Sequence, residues 1–232
     1  MDYIKEFTST LEALDRSKNI STVFFDFLTL SMCSLAQPFY RSQNLEQRYK
    51  NTICNYTKEQ AEEFSKLLAL LISALEEKHQ DFLGQVFSAN NFGNARKGQF
   101  FTPYHVSKLM AQINFTDIEN QLAENNFVTL AEPCCGSGGI IIAFAEILKE
   151  QGYNYQHQLF VEAIDIDETC FKMAYIQLSI LGIPAGDTLA WKFQKVLYTP
   201  LYFVNGFEYK LKHQQQEQKK PVIVGMKQLN LF

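Results

Sequence analysis

The chain has 232 residues, 47% of them hydrophobic, enough for one sizeable α/β domain with a smaller element beside it. No run of about 18 apolar residues reads as a membrane span, and Met1-Asp2-Tyr3-Ile4-Lys5-Glu6 lacks the basic, apolar and small-residue order of a signal peptide. A net charge of −4 excludes a stand-alone protein that holds nucleic acid by bulk electrostatics; any contact with DNA is local or supplied by a partner.

The five cysteines (33, 54, 134, 135, 170) are odd in number and show no C-x-x-C spacing, and the four histidines do not fall at zinc-ligand spacings from them. Free thiols in a reducing cytoplasm, with no metal, are the plain expectation.

Residues 1–92 read as a helical amino-terminal domain. Thr57-Lys58-Glu59-Gln60 fits a capping box, and Ala61, Phe64, Leu68, Leu71 and Leu75 then recur at steps of three and four. That stripe belongs to a core. Phe24, Phe25, Phe27, Leu28 and Leu30 suggest a second buried helix before it. Around 90–98 the composition turns polar and glycine-bearing, as in a linker. A helix is expected next, with Thr102 as cap and Pro103 at its first position, burying Val106, Leu109, Met110 and Ile113.

From 127 the pattern alternates. A strand is expected over 127–131, a helix near 139–149, a strand near 159–165, and a helix near 167–181 capped by Asp167. This order implies a parallel sheet with right-handed crossovers, whose ligands bind beyond the carboxyl ends of the strands. Glu132 and Asp165 stand at those ends. Residues 93–208 form the expected cofactor-binding domain, and 209–232 a polar, mobile tail.

Between the first strand and its helix runs Ala131-Glu132-Pro133-Cys134-Cys135-Gly136-Ser137-Gly138-Gly139. Glycines there let the backbone approach a ligand, and the helix start behind them offers unpaired N–H groups. Glu132 would repel a pyrophosphate and favours a cationic or polyhydroxyl ligand. The run is not G-x-G-x-x-G, because Ile141 occupies the third glycine position.

Three segments occur in order: Gly98-Gln99-Phe100-Phe101-Thr102-Pro103, then Glu132 to Gly139, then Ala163-Ile164-Asp165-Ile166-Asp167. Over roughly residues 80–190 the chain resembles the adenine-specific DNA methyltransferases, most closely the modification subunits of type I restriction systems. These carry G-E/Q-F-F/Y-T-P ahead of D-P-x-C-G-S-G-G and an acid ending the next strand. The resemblance implies a Rossmann-like fold that binds S-adenosylmethionine. It implies that Phe101 and Thr102 contact the methionine part, and that Glu132, Gly136, Ser137 and Gly138 form the loop beneath methionine and ribose. It further implies that Asp165 accepts from the ribose hydroxyls and Ile166 packs on the adenine. Asp187 resembles the acid near the adenine amino group; a turn residue after Gly186 is the alternative.

One departure is large. The family transfers its methyl group with an N/D-P-P-Y/F loop, which accepts hydrogen bonds from the target amine and stacks on the flipped base. That tetrapeptide is missing here. By position Thr199-Pro200-Leu201-Tyr202 would stand in, with Thr199, Pro200 and Tyr202 as the catalytic candidates; an ordinary strand and loop is the competing reading. No base-recognition domain is expected within these residues, a task that the resemblance implies is left to a separate specificity subunit. Finally, Gln228-Leu229-Asn230-Leu231-Phe232 resembles the Q-L-S/D-L-F peptide that docks bacterial proteins on the sliding clamp, through Gln228, Leu229, Leu231 and Phe232; a last strand tucked into its own core is the alternative. The function expected is methyl transfer to the exocyclic amine of adenine in DNA. The alternatives are an inactive cofactor-binding module docked on the clamp, and a methyltransferase for RNA or protein.

Overall fold

The computed structural model describes residues 1–93, 101–113, 115, 118–189 and 196–218. Five helices come first: α1 (Tyr3–Leu14), α2 (Ile20–Tyr40), α3 (Gln43–Ile53), α4 (Lys58–Glu77) and α5 (Phe82–Ala89). Polar side chains open each of them. Thr57 and Gln60 form the expected reciprocal capping box on α4, and Asp2, Asn19, Ser42 and Asp81 each accept from a first-turn N–H of their helix. The apolar faces meet through aromatic edges: Phe7 lies 5.2 Å from Phe27 and 5.4 Å from Phe82, ring centre to ring centre. By length and composition α2 could cross a membrane. In this fold Val23, Phe24, Phe27, Leu28 and Met32 on it are buried in the core.

Two helices, α6 (Tyr104–Ile113) and α7 (Ile118–Asn125), lead into the sheet. The sheet consists of β1 (Val128–Glu132), β2 (Leu159–Asp165), β3 (Ala185–Leu189) and β4 (Val196–Tyr198) in that spatial order. β1, β2 and β3 are parallel, joined by α8 (Gly139–Glu150) with the short α9 (Tyr155–Gln158), and by α10 (Glu168–Leu181). β4 turns back antiparallel on β3, and α11 (Pro200–Val204) and α12 (Phe207–Gln218) follow. Asp167 caps α10 as expected, accepting from the N–H groups of Thr169 and Cys170.

The helical layer shares its core with the sheet. One apolar cluster runs from Phe7 to Leu197, and α10 is packed by α2, α4 and α5 on one side and by β2 and β3 on the other. Among the described residues the second face of the sheet is covered at its amino end, where Phe127, Phe160, Tyr202 and Phe207 form a smaller cluster. Beyond it Thr129, Ala131 and Glu162 are exposed. Among the described residues no strand pairs with the outer edge of β1.

Two expectations need correction. Helix α6 buries Ser107 and Ala111, while Leu109, Met110 and Ile113 are exposed. Its packed side is held by polar bonds to α8: the Tyr104 hydroxyl donates to Glu146 (2.8 Å), and Lys108 pairs with Glu146 (3.1 Å) and Glu150 (2.6 Å). Small side chains allow close approach there, so the apolar stripe turns outward. Residues 209–218, placed in the tail by the sequence, are helical in α12. Residues 219–232, with the terminal pentapeptide, lie outside the described residues.

Candidate functional site

Strand register brings the acids together. Glu132 pairs with Ala163, and Ala163 with Asp187, so these three side chains share one row on one face of the sheet; Asp165 stands one pleat further on, beside Leu189. Ala163 has only a methyl group between the two carboxyl side chains.

The loop between β1 and α8 is stitched to the end of β2. The Gly136 N–H donates to Asp165 Oδ2 (2.8 Å), while Asp165 Oδ1 accepts from the Asp167 N–H (2.8 Å). The Cys135 N–H donates to the Ile164 carbonyl (2.9 Å), and the Cys134 N–H to Glu132 Oε1 (3.1 Å). Gly136 (φ +56°) and Gly138 (φ +94°) adopt the left-handed backbone that favours glycine. A Cβ on Gly136 would lie 3.3 Å from the Phe101 ring, which itself packs edge-on against Phe87. No side chain caps α8, whose cap position is Gly138.

Asp187 is the unusual member. It lies in the middle of β3, which settles against the turn reading, and it is fully buried with neither carboxylate oxygen hydrogen-bonded. Burial, followed by the negative charge of Asp165, pushes its pKa well above the usual carboxylate range. The same burial, with Asp187 and Asp165 nearby, raises the Cys135 thiol, so Cys135 is no thiolate nucleophile at neutral pH.

The predicted residues separate into two groups. Phe101, Glu132, Gly136, Gly138, Asp165 and Ile166 surround the carboxyl ends of β1 and β2; Ile166 is 67% exposed at the rim, and Thr102 is exposed beside Phe101. Ser137 shares that loop, but its hydroxyl points inward and donates to Asp81 Oδ2. Thr199, Pro200 and Tyr202 are elsewhere. Because β4 is antiparallel, its end lies at the amino end of β3, across from Gly186 and Ala185, roughly 13 Å of strand away from the Leu189 level. The Thr199 hydroxyl donates to the Ile183 carbonyl (2.7 Å) and accepts from the Ala185 N–H (2.9 Å). Pro200 opens α11, and the Tyr202 ring stacks on Tyr198 at 3.9 Å. The expected acceptor loop is therefore part of the structural edge, and does not face the acids.

Sequence reasoning missed Asp81 and Gln177, both buried and both bonded to Ser137. The available signal was Gly84, a glycine in the first turn of α5 three residues after its cap, where a helix gains nothing from glycine.

Parallel strands, a glycine turn after the first and acids closing the first two define a Rossmann-like α/β fold with its candidate site at the strand ends. The chain belongs to the N-6 DNA methylase family, whose model matches residues 78–201, more than half of its length. No curated protein matches it. Among solved structures it is similar to a Listeria monocytogenes protein described as a candidate class I S-adenosylmethionine-dependent methyltransferase, at 11% identity and a TM-score of 0.37, over 79% of this chain and 52% of that one. The chain thus spans about half the length of that protein.

Proposed function

We propose that the chain binds S-adenosylmethionine over loop 133–138 and serves methyl transfer to the exocyclic amine of adenine in DNA. The observation that carries this reading is the pair of acids from neighbouring strands flanking a glycine turn. The residues fit the cofactor in two respects: a Cβ would fill the cradle at Gly136, and Asp187 holds a buried carboxyl without a hydrogen-bond partner. When bound, the cofactor supplies an electrophilic methyl group on a positive sulfonium.

The chain's own residues then divide the binding. Asp165 accepts from the two ribose hydroxyls with the lone pairs its two backbone bonds leave over. Ile166 offers an apolar surface to the adenine, and Asp187 an acceptor to its amino group. Glu132 lowers the energy of positive charge above the turn. Phe101 and Thr102 line the methionine end. Gly136 and Gly138 keep the backbone low enough for approach, with Ser137 fixing the turn between them.

Acceptance of the target amine needs groups beyond the outer edge of β1, where a doubly wound sheet reverses its strand order and binds its ligand. We assign that role, with sequence recognition, to a partner such as a specificity subunit, consistent with a net charge too negative to hold DNA alone. The use of Thr199 as a structural bond donor and acceptor favours a second reading, a cofactor-binding module that transfers nothing and docks on a sliding clamp through Gln228, Leu229, Leu231 and Phe232 in the cytoplasm. Transfer of a tritiated methyl group to DNA in the presence of the specificity partner, with RNA and protein as parallel acceptors, separates these readings. Label in DNA adenine is expected; cofactor binding with no label in any acceptor supports the docked module, and label in RNA or protein alone overturns the DNA assignment.

A further inference from the structure

We propose that Asp81, in the helical layer, is a positioning residue for cofactor binding that fixes loop 133–138 through Ser137 and Gln177. This inference rests on the cofactor reading above and names a residue outside the loop that governs it.

The three residues come from α5, the glycine loop and α10, and each is almost fully buried: Asp81 4%, Ser137 1% and Gln177 0% exposed. Asp81 Oδ1 accepts from the Gly84 N–H (3.0 Å) and from Gln177 Nε2 (3.0 Å), and Oδ2 accepts from the Ser137 hydroxyl (2.5 Å). Gln177 Nε2 also donates to the Ser137 carbonyl (2.8 Å), and its Oε1 accepts from the Leu83 N–H (3.0 Å). Ser137 is therefore gripped at its hydroxyl and its carbonyl. Its neighbour Gly136 is held from the other side by Asp165. The loop is thus held on both sides.

Glycines make the contact possible. A Cβ on Gly84 would sit 2.1 Å from Asp81 Oδ2 and 2.6 Å from Ser137 Oγ, and one on Gly139 would come within 3.2 Å of the same carboxylate oxygen. Removing both side chains lets α5 and the start of α8 close on the Asp81–Ser137 bond. Burial pushes the Asp81 carboxyl up, and its bonds to Gln177, Ser137 and Gly84 pull it back down. A carboxyl group is an expensive way to fill a core, since apolar residues of similar volume often hold a fold as well or better. Here the expense falls on the loop where a ligand would meet backbone, and the network ties that loop to α5 and α10. Satisfied buried networks of this kind rigidify what they touch.

The test is a titration of the full chain with S-adenosylmethionine, made well below each variant's melting midpoint. Asp81→Ala and Ser137→Ala are each expected to weaken binding about 10-fold, and the double variant no more than either alone, because both break one link. Asp81→Asn keeps an acceptor for the Gly84 N–H and a group that can bond the Ser137 oxygen, and is expected to recover binding to within about 3-fold of the unaltered chain. A purely structural residue would lower the melting temperature and leave the affinity alone. Unchanged affinity in folded Asp81→Ala, or losses that multiply in the double variant, overturns the proposal while the cofactor reading stands. Should Asp81→Ala fail to fold, Ser137→Ala and Asp81→Asn decide, with normal affinity in Ser137→Ala counting against it. An unaltered chain that binds no S-adenosylmethionine defeats the cofactor reading and this proposal together.

Discussion

Among the described residues the sheet is closed by its own chain at its β4 edge and left unpaired at its β1 edge. On the closed side Thr199 pairs both Ile183 and Ala185, the Tyr198 N–H donates to the Tyr40 hydroxyl (2.5 Å), and Tyr202 stacks on Tyr198. On the open side Thr129 and Ala131 are exposed, and the nearby sequence segment α6 presents Leu109 (56%) and Ile113 (66%) to solvent. The acids and the glycine turn belong to the β1 and β2 ends, toward the open side. The contrast teaches that finishing a fold and finishing a site are separate tasks. The polar and aromatic residues of the closed edge stabilise the sheet, whereas those at the strand ends, with an unpaired Asp187 beneath them, are arranged for something that is not part of the chain's own core.

The largest expected effect tests the closed edge. Thr199→Val leaves a buried N–H at Ala185 and a buried carbonyl at Ile183 without this partner, and should cost about 2–4 kcal/mol of unfolding free energy in a denaturant titration. Cofactor affinity should not move; a loss of affinity with full stability would return Thr199 to the site.

A smaller effect is expected from Asp187, whose burial outweighs the bonding available to its carboxyl group. Its folded pKa is raised above the unfolded value of 3.8, so the stability tied to its neutral form is complete below that pH and declines as pH rises towards the folded pKa. Asp187→Asn should remove that decline, which has a slope of at most about 1.4 kcal/mol per pH unit. Thermal melts of both proteins from pH 3.5 to 7 provide the check, and parallel pH curves would mean that Asp187 has a partner.

The smallest effect concerns the open side. Leu109→Ser with Ile113→Ser should change stability by no more than about 0.5 kcal/mol per site, since both side chains are largely exposed. A loss of several times that would mean that the stripe is buried after all.

Much of this contrast could be read from the chain, for identifiable reasons. The elements from β1 to α10 follow the expected bounds closely, because Gly136, Gly138 and Gly139 and the Asp167 cap punctuate strongly periodic segments. The capping box on α4 was legible as four residues. The face of α6 was not: its period was right, but ion pairs with Glu146 and Glu150 on another helix decide which side packs. Helix α12 was hidden by a glutamine- and lysine-rich composition that reads as low complexity. The position of Thr199 depended on β4 running antiparallel, which counting along the chain cannot reveal. Asp81 meets Ser137 across 56 residues, a contact that exists only once α5 and α8 have packed.

The most direct measurement is calorimetric titration of the purified chain with S-adenosylmethionine, beside Asp165→Ala. Saturable binding by the unaltered protein, lost or weakened at least about 10-fold in a folded Asp165→Ala variant, is the predicted result. A folded chain that releases no heat, or an Asp165→Ala variant that binds as tightly, would contradict a cofactor site at the ends of β1 and β2.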